Sequence, residues 1–320
     1  METHFEIKPG LLKKSALALG FFDGVHPGHQ AVIKKAVQEA QRLDAVPALI
    51  TFREHPRALT LGKSPPLLTL PEQRLELCEQ LGIEAVLLLS FTEALCRLAP
   101  ADYVSQVLVD CMGARSLSVG YNHRFGRNRE GDAQLLEDLG KTMNFSVHVT
   151  GQVLLESSEV SSSCIRQALS DGHIELANRL LGRAYAVPGL VGHGQERGRQ
   201  IGFPTANLIS APELILPARG VYAGYCLLEQ GSTHPCVINI GLRPTFGEDL
   251  SPSTEIHILD FDQDLYGSKM TVRFARFIRA EQKFASVDAL TKQIHSDCQL
   301  ARQMLADQTG NIASRVGSLS

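Results

Sequence analysis

The sequence predicts two domains of different class: a doubly wound α/β domain with a parallel sheet over residues 1–184, then a small antiparallel β-barrel with a C-terminal helix over residues 185–320. Three observations predict it. A chain of 320 residues is too long for one ordinary core and suits two. Up to Leu181, short apolar runs alternate with segments of helical period, the texture of strands joined by helical crossovers. Beyond Ala184, glycine and proline become frequent and strand-like runs follow one another without long helices.

The elements follow in order. Strands are expected at Ala16–Gly20, Val46–Phe52, Glu84–Ser90, Ser116–Gly120 and Phe145–Thr150. The helix expected from His29 to Leu43 puts Val32, Ala36, Val37, Ala40 and Leu43 on one face. Pro71–Leu81, Pro100–Cys111 and Gly131–Gly140 read the same way. Two short helices, Ser162–Ser170 and Ile174–Leu181, end at Gly182, a residue suited to a left-handed helix stop. Barrel strands are expected at Ala184–Val191, Val221–Leu228, Pro235–Ile240, Thr254–Phe261 and Met270–Ile278. A last helix, Val287–Leu305, carries Leu290, Ile294, Cys298, Ala301 and Leu305 on one face and is expected to pack on the barrel.

Composition narrows the function. The net charge of −3 speaks against a nucleic-acid binder but is compatible with a phosphorylated small molecule, which needs only local cations and backbone N–H groups. No apolar run is long enough to span a bilayer, and the first fifteen residues carry charges without an apolar stretch. The seven cysteines are dispersed and form no CxxC pair, as in a reduced cytoplasmic protein.

Chemistry concentrates in two places. The first is Gly20-Phe21-Phe22-Asp23-Gly24-Val25-His26-Pro27-Gly28-His29, which follows the first strand and opens the first helix. Ligands of open α/β sheets sit at the carboxyl ends of strands, glycines let backbone N–H groups approach a phosphate, and a helix N-terminus favours anions. His26 and His29 are spaced to aim at one phosphate and to donate to charge developing on a transferring group. A histidine metal pair and a merely structural loop are the alternatives; no third Cys or carboxylate ligand lies at useful spacing.

His26-x-Gly28-His29 resembles the HxGH signature of the nucleotidylyltransferase superfamily, whose domain is Rossmann-like. The longer string is similar to the FMN adenylyltransferase domain of the bacterial bifunctional riboflavin kinase/FAD synthetase family. Other segments resemble the same family in order. Thr51-Phe52 with His55-Pro56 matches its TFxxHP element. Gly120-Tyr121-Asn122-His123-Arg124-Phe125-Gly126, with Arg129, Gly131 and Asp132, matches its flavin-side loop. Ser161-Ser162-Ser163-Cys164-Ile165-Arg166 matches its SSTxIR motif near the ATP phosphates. Two departures stand out: Ser163 replaces a usual threonine and keeps the hydroxyl, and His123 stands where phenylalanine is common. The resemblance implies ATP or phosphate contacts at Gly20, Phe21, Phe22, Asp23, Gly24, Gly28, Ser162, Ser163 and Arg166. It also implies flavin or loop-positioning parts for Asn122 and Phe125, and Mg2+ on the phosphates. An N-cap is the ordinary alternative for the serines.

The second place is the glycine-rich stretch from Gly192 to Asn207, which is not a Walker P-loop because no GKS or GKT follows. A plain glycine-rich hairpin is the alternative. Pro204-Thr205-Ala206-Asn207 resembles the PTAN motif of the riboflavin kinase family. Gly220-Val221-Tyr222-Ala223, Asn239-Ile240-Gly241 with Arg243-Pro244-Thr245-Phe246, and Glu255-x-His257-x-Leu259-Asp260-Phe261 with Leu265-Tyr266-Gly267 continue that pattern. The resemblance implies that Thr205 and Asn207 hold Mg2+ and nucleotide phosphate, that Gly198 binds the ATP phosphates, and that Arg279 binds the flavin. Strand alternation over Thr254–Phe261 sends Ile256 and Ile258 to one face and Glu255 to the other. Glu255 is therefore available as the general base that a primary alcohol needs; a solvated strand glutamate is the alternative. His257 is expected to be structural.

The expected function is ATP-dependent phosphorylation of riboflavin to FMN and adenylylation of FMN to FAD. A monofunctional nucleotidylyltransferase, or a flavin-binding module with a decayed site, are the competing readings. The intact PTAN and Glu255 segments speak against the first, and the retained His26, His29, Thr205, Asn207 and Glu255 against the second.

Overall fold

The computed structural model describes residues 1–55, 64–156, 158–193, 198, 201–244 and 250–306. The chain divides into two compact units, Met1–Ser162 and Ser163–Ser320. The first holds a six-stranded parallel sheet: β1 (Glu2–His4), β2 (Ser15–Leu19), β3 (Val46–Phe52), β4 (Ala85–Leu89), β5 (Ala114–Gly120) and β6 (Ser146–Thr150). They lie in the order β1-β4-β3-β2-β5-β6. Successive strands step outward from β2 on one side and from β5 on the other, so the order reverses at the β2/β5 pair. That is where open α/β sheets form their ligand crevice.

The predicted parallel sheet is thus present, with β1 an added edge strand too short for periodicity to reveal. Side chains alternate across β2: Leu17 and Leu19 enter a core with Ile50, Leu87, Leu117 and Val119. Ala18 enters the opposite one, with Leu49, Val86, Val32, Ile33 and Ala36. The second core is covered by α1 (Pro27–Leu43) and α2 (Pro71–Gln80). A short α3 (Glu93–Arg97) was not anticipated. The helix expected over Pro100–Cys111 begins as α4 (Pro100–Tyr103) and continues as a π-helix over Val104–Cys111, keeping Val104, Val107, Leu108 and Cys111 buried. The helix expected over Gly131–Gly140 is α5 (Ala133–Met143), started by Asp132, whose carboxylate accepts from the Leu135 N–H at 3.0 Å.

Beneath the outer face of α1, Glu39 is buried and clamped by Lys35 at 2.7 Å, Arg42 at 2.8 Å and His148 at 3.4 Å. The Lys35 hydrogen bond, above all, holds its carboxyl down at about 2.

The second unit begins with α6 (Ser162–Ser170, its first residue in the first unit) and α7 (Ile174–Leu181). Gly182 ends α7 in the left-handed conformation, φ 72°, as expected. Six antiparallel strands then close a barrel: β9 (Tyr185–Gly192), β10 (Ala206–Ser210), β11 (Gly220–Leu228), β12 (Thr233–Pro244), β13 (Leu250–Ile258) and β14 (Lys269–Arg279). β7 (Leu154–Leu155) and β8 (Ser158–Glu159) form a two-stranded ladder in the first unit. Strand β10 was not anticipated; it is short, and its Ile209 stands exposed instead of following a clean alternation. The terminal helix α8 (Val287–Ala306) packs Cys298, Ala301 and Leu305 on Val221, Ala223, Val237 and Ala275 of the barrel's outer face.

Within this unit α7 is tied to the barrel wall. Asn178 donates to Phe274 O at 2.8 Å and accepts from the Tyr185 N–H at 2.7 Å, while Glu175 accepts from the Phe277 N–H at 3.2 Å.

Candidate active sites

The loop after β2 is fixed from four directions. Asp23, 2% exposed, accepts from the backbone N–H groups of Leu68 and Thr69 at 3.0 Å and from Thr69 Oγ1 at 3.1 Å. Thr69 Oγ1 in turn accepts from the Gly24 N–H at 3.0 Å. Thr51 Oγ1 donates to Phe21 O at 3.0 Å. Arg74, with no exposed surface, donates through Nη1 to Phe21 O at 2.7 Å and through Nη2 to Phe52 O at 2.9 Å, and its guanidinium covers the Phe21 ring. Burial pulls the Arg74 pKa down and the nearby Asp23 carboxylate opposes it. Phe22 and Val25 adopt positive φ, 56° and 41°, a strained path for bulky residues that this web of bonds sustains.

Out of that loop come the two histidines. His26 is the N-cap of α1: its Nδ1 accepts from the His29 N–H at 3.4 Å. With Nδ1 accepting, a neutral ring carries its proton on Nε2. The two imidazoles stack, centroids 3.7 Å apart at 21°, and Phe22 meets His29 edge-on at 5.4 Å. Gly28 permits this, since a Cβ there would lie 3.1 Å from His26 Cε1. Ser162, at the start of α6, donates to Asp23 O at 2.9 Å and so borders the same loop. Ser163 and Arg166 lie further along α6, in the second unit. His55 packs edge-on against Phe21 at 4.7 Å, while Pro56 lies outside the described residues.

The loop after β5 stands on the other side of the crevice. Asn122 is exposed, but Phe125 is buried, packed on Tyr103 and bridged to Gly131 through both backbone groups. Of the two parts expected for Phe125, positioning the loop is the one this packing supports. His123 stacks over Phe125 at 5.9 Å, its Nε2 buried and without a hydrogen-bond partner among the described residues. Burial, with Arg129 nearby, pushes its pKa down to about 4, so the ring is neutral at ordinary pH.

In the second unit, strand register assembles the other site. Asn207 on β10 and Asn239 on β12 both pair directly with Glu255 on β13, so the three side chains share one row. Burial alternates along β13 as the sequence implied: Thr254, Ile256 and Ile258 are buried, Glu255 and His257 half-buried. Asn207 is 7% exposed, and its Oδ1 has no partner among the described residues. Thr205 lies two residues before it. A Cβ at Gly198 would lie 2.3 Å from Phe203 O and 3.3 Å from Thr205 Oγ1, so only glycine allows this turn to close beside the threonine. The turn is held by Gly198 O, which accepts from the Ile201 and Phe203 N–H groups. His257 Nδ1 meets Pro204 O at 2.8 Å and its ring meets Phe203, the structural part expected of it.

Arg279 is in the same ladder, paired through Val221, but its guanidinium grips Asp297 of α8 through Nε at 3.0 Å and Nη2 at 2.8 Å. Gln293 donates to the same carboxylate at 2.9 Å. The residues of the second site from 194 to 197, Arg199, Gln200, Thr245 and Phe246 lie outside the described residues.

Among the described residues no three His, Cys, Asp or Glu side chains gather in a way that could hold a metal ion. A threonine hydroxyl and an amide oxygen are nonetheless the hard, neutral donors that Mg2+ accepts when phosphates supply the rest, and the Asn207 Oδ1, without a partner among the described residues, fits that part.

Comparison with known proteins matches both halves of the chain. Residues 8–164 match the FAD synthetase family and residues 181–305 the riboflavin kinase family. The bifunctional riboflavin kinase/FMN adenylyltransferase of Pseudomonas fluorescens is 38% identical over 289 residues, covering 90% of this chain and 92% of that protein. That of Bacillus subtilis is 37% identical over 297 residues, with the same coverage. A crystal structure from Streptococcus pneumoniae, titled a macrolide-efflux protein, superposes with a TM-score of 0.85 at 28% identity, covering 94% of this chain and 99% of that one. Its title differs from the names of the more similar relatives; here, among the described residues, no helix is long and apolar enough to cross a membrane. The chain belongs to the bifunctional riboflavin kinase/FMN adenylyltransferase family.

Proposed function

We propose that the chain makes FMN and then FAD at two separate sites, with the row Asn207–Glu255–Asn239 as the kinase centre and the His26–His29 loop as the adenylylation centre. The observation that carries the residue assignment is that row: a buried amide oxygen, unpartnered among the described residues, directly across the ladder from a half-buried carboxylate.

At the kinase centre, Glu255 accepts the proton of the ribityl 5′-hydroxyl as its oxygen attacks the γ-phosphorus of ATP, and ADP departs. Gly198 lets the phosphates approach the Thr205 turn. Thr205 and Asn207 would hold Mg2+, which when bound neutralises phosphate charge. Arg279, held by Asp297, supports the flavin side by fixing the start of the segment between β14 and α8.

At the adenylylation centre the nucleophile is the FMN phosphate, an anion already, so no general base is required. The α1 N-terminus, the close backbone approach that Gly20, Gly24 and Gly28 allow, and the imidazoles of His26 and His29 align the two anions and stabilise the departing pyrophosphate. Asp23 acts through the loop it braces. Ser162, Ser163 and Arg166 take the ATP phosphates, and Asn122 faces FMN. A domain boundary near residue 185 and a cytoplasmic location, where ATP is supplied, belong to the same proposal.

The test is purified protein incubated with riboflavin, ATP and MgCl2, with the flavins separated by chromatography. FMN should appear first and FAD follow, with pyrophosphate released. No FAD from FMN supplied directly would remove the adenylylation assignment; no FMN from riboflavin would remove the kinase assignment.

A further inference from the structure

The segment joining β14 to α8 places one more carboxylate beside the kinase row. Gly241 follows Asn239 by two residues on β12, so both present the same face. A Cβ at Gly241 would lie 2.5 Å from Glu281 Oε1 and 3.4 Å from Asn239 Nδ2. The Glu281 carboxylate therefore comes down to the strand beside Asn239 while its side chain stays exposed, and the missing side chain at 241 makes room for it. The start of its segment is fixed by Arg279, which holds Asp297 with two nitrogens and donates to Ala280 O at 3.0 Å.

The row now has two different ends. On the β10 side of Glu255 stands Asn207, a neutral oxygen donor; on the β12 side stand Asn239 and the anionic Glu281. A carboxylate repels phosphate but accepts hydrogen bonds from hydroxyls. Glu281 thus marks the alcohol end of the site. It lies one strand repeat, roughly 6.7 Å, beyond the Asn239–Glu255 pair. A polyol whose terminal hydroxyl faces Glu255 can reach it with a hydroxyl further along the chain.

Resting on the kinase site proposed above, we infer that Glu281 is a substrate-binding residue that accepts a hydrogen bond from a secondary hydroxyl of the flavin's polyol chain and so selects for that chain. Its requirement is for the polyol, not for the isoalloxazine ring.

The experiment uses the full-length chain with Glu281→Gln and, separately, Gly241→Ala, which displaces Glu281 without touching its charge. Steady-state phosphorylation of riboflavin gives KM and kcat; fluorescence titration gives the affinities for riboflavin and for lumiflavin, which lacks the polyol. Both variants should raise the riboflavin KM and Kd about tenfold or more, the worth of a hydrogen bond to a charged group. The kcat, the KM for ATP, lumiflavin affinity and FAD formation from FMN should stay within about twofold of the parent. Unchanged riboflavin affinity in Glu281→Gln, or equal weakening for lumiflavin, would overturn the inference. Should Gly241→Ala fail to fold, Glu281→Gln decides alone, since that side chain is exposed. Glu255→Gln run alongside separates the two levels. If it phosphorylates riboflavin normally, the site itself is misplaced and Glu281 falls with it. If it is inactive while Glu281→Gln is normal, only the role of Glu281 falls.

Discussion

The two sites are built by opposite means. The loop at Gly20–His29 gains its shape from residues far away in sequence: Thr51, Leu68, Thr69 and Arg74 each bond to it, and without them Phe22 and Val25 have no reason to hold positive φ. The row at Asn207–Glu255–Asn239 needs no such scaffolding, because antiparallel register places direct partners within reach once the strands pair. A loop site can be lost by mutating residues that never meet substrate. A ladder site is lost chiefly by changing the side chains themselves or by slipping the register.

The largest expected effect tests whether the two are chemically independent. Glu255→Gln keeps the size and polarity of the side chain but cannot take a proton. FMN formation should fall by roughly 10²–10⁴-fold, the usual worth of a general base. The same variant given FMN should still make FAD. His29→Ala should do the converse, lowering FAD formation by about 10²–10³-fold through lost transition-state donors while riboflavin is still phosphorylated. The measurement supplies each variant first with riboflavin, then with FMN. A folded Glu255→Gln chain that had lost FAD formation from FMN would refute separate sites. One that phosphorylated riboflavin normally would return Glu255 to the standing of a solvated strand residue.

What the sequence revealed follows the same division. The barrel row was legible: alternation put Ile256 and Ile258 inside and Glu255 outside, and the closed barrel was anticipated with five of its six strands. The pairing of Asn239 with Glu255 was not, because register is a relation between segments that no single segment carries. In the first domain the histidines and glycines were legible from their position after a strand and before a helix. Asp23 reads from its place in the loop as a phosphate contact, and what no local pattern announces is that its carboxylate accepts from the Leu68 and Thr69 N–H groups. Arg74 escaped notice because it sits in an amphipathic helix where an arginine reads as surface, and only the fold reveals it fully buried against three backbone carbonyls. Arg279 keeps its place in the ladder, but its partner Asp297 comes from a helix eighteen residues on, a pairing no local pattern announces.

Arg74 supplies the next test of the contrast. Arg74→Met preserves much of the volume but removes the side-chain donor of Phe52 O and one of the two donors of Phe21 O, which keeps Thr51 Oγ1. A buried carbonyl left unpaired costs about 1–3 kcal/mol, and a loss of that order is expected after the relief of burying a charge. The first unit's melting temperature should drop, and FAD formation should fall although no catalytic group has changed. Phosphorylation of riboflavin should be retained. Equal losses in both activities would mean that the loop's scaffold also supports the barrel.

The smallest expected effect concerns where the barrel unit begins. A boundary near residue 185 follows the change in sequence texture, whereas α7 is bonded to the barrel through Asn178 and Glu175 and buries Ile174, Ala177, Leu180 and Leu181. Two fragments decide how much those bonds matter, one starting at Ser163 and one at Arg183. The later start removes both α6 and α7, leaving the Tyr185 and Phe277 N–H groups without their side-chain acceptors, Phe274 O without Asn178 and the Ala218 N–H without Leu169 O. Four lost hydrogen bonds at about 1 kcal/mol each set the scale, with the buried apolar residues adding to it. The longer fragment should therefore melt higher, by several degrees or more. Both should phosphorylate riboflavin wherever they are folded, because Thr205, Asn207, Glu255 and Glu281 all lie beyond either start. Thermal unfolding of each fragment, followed by a kinase assay below its transition, gives the answer. Equal stability would place α7 outside the working barrel and favour the boundary near 185. A shorter fragment that is insoluble, beside a longer one that is active, would move the start of the kinase unit to α6.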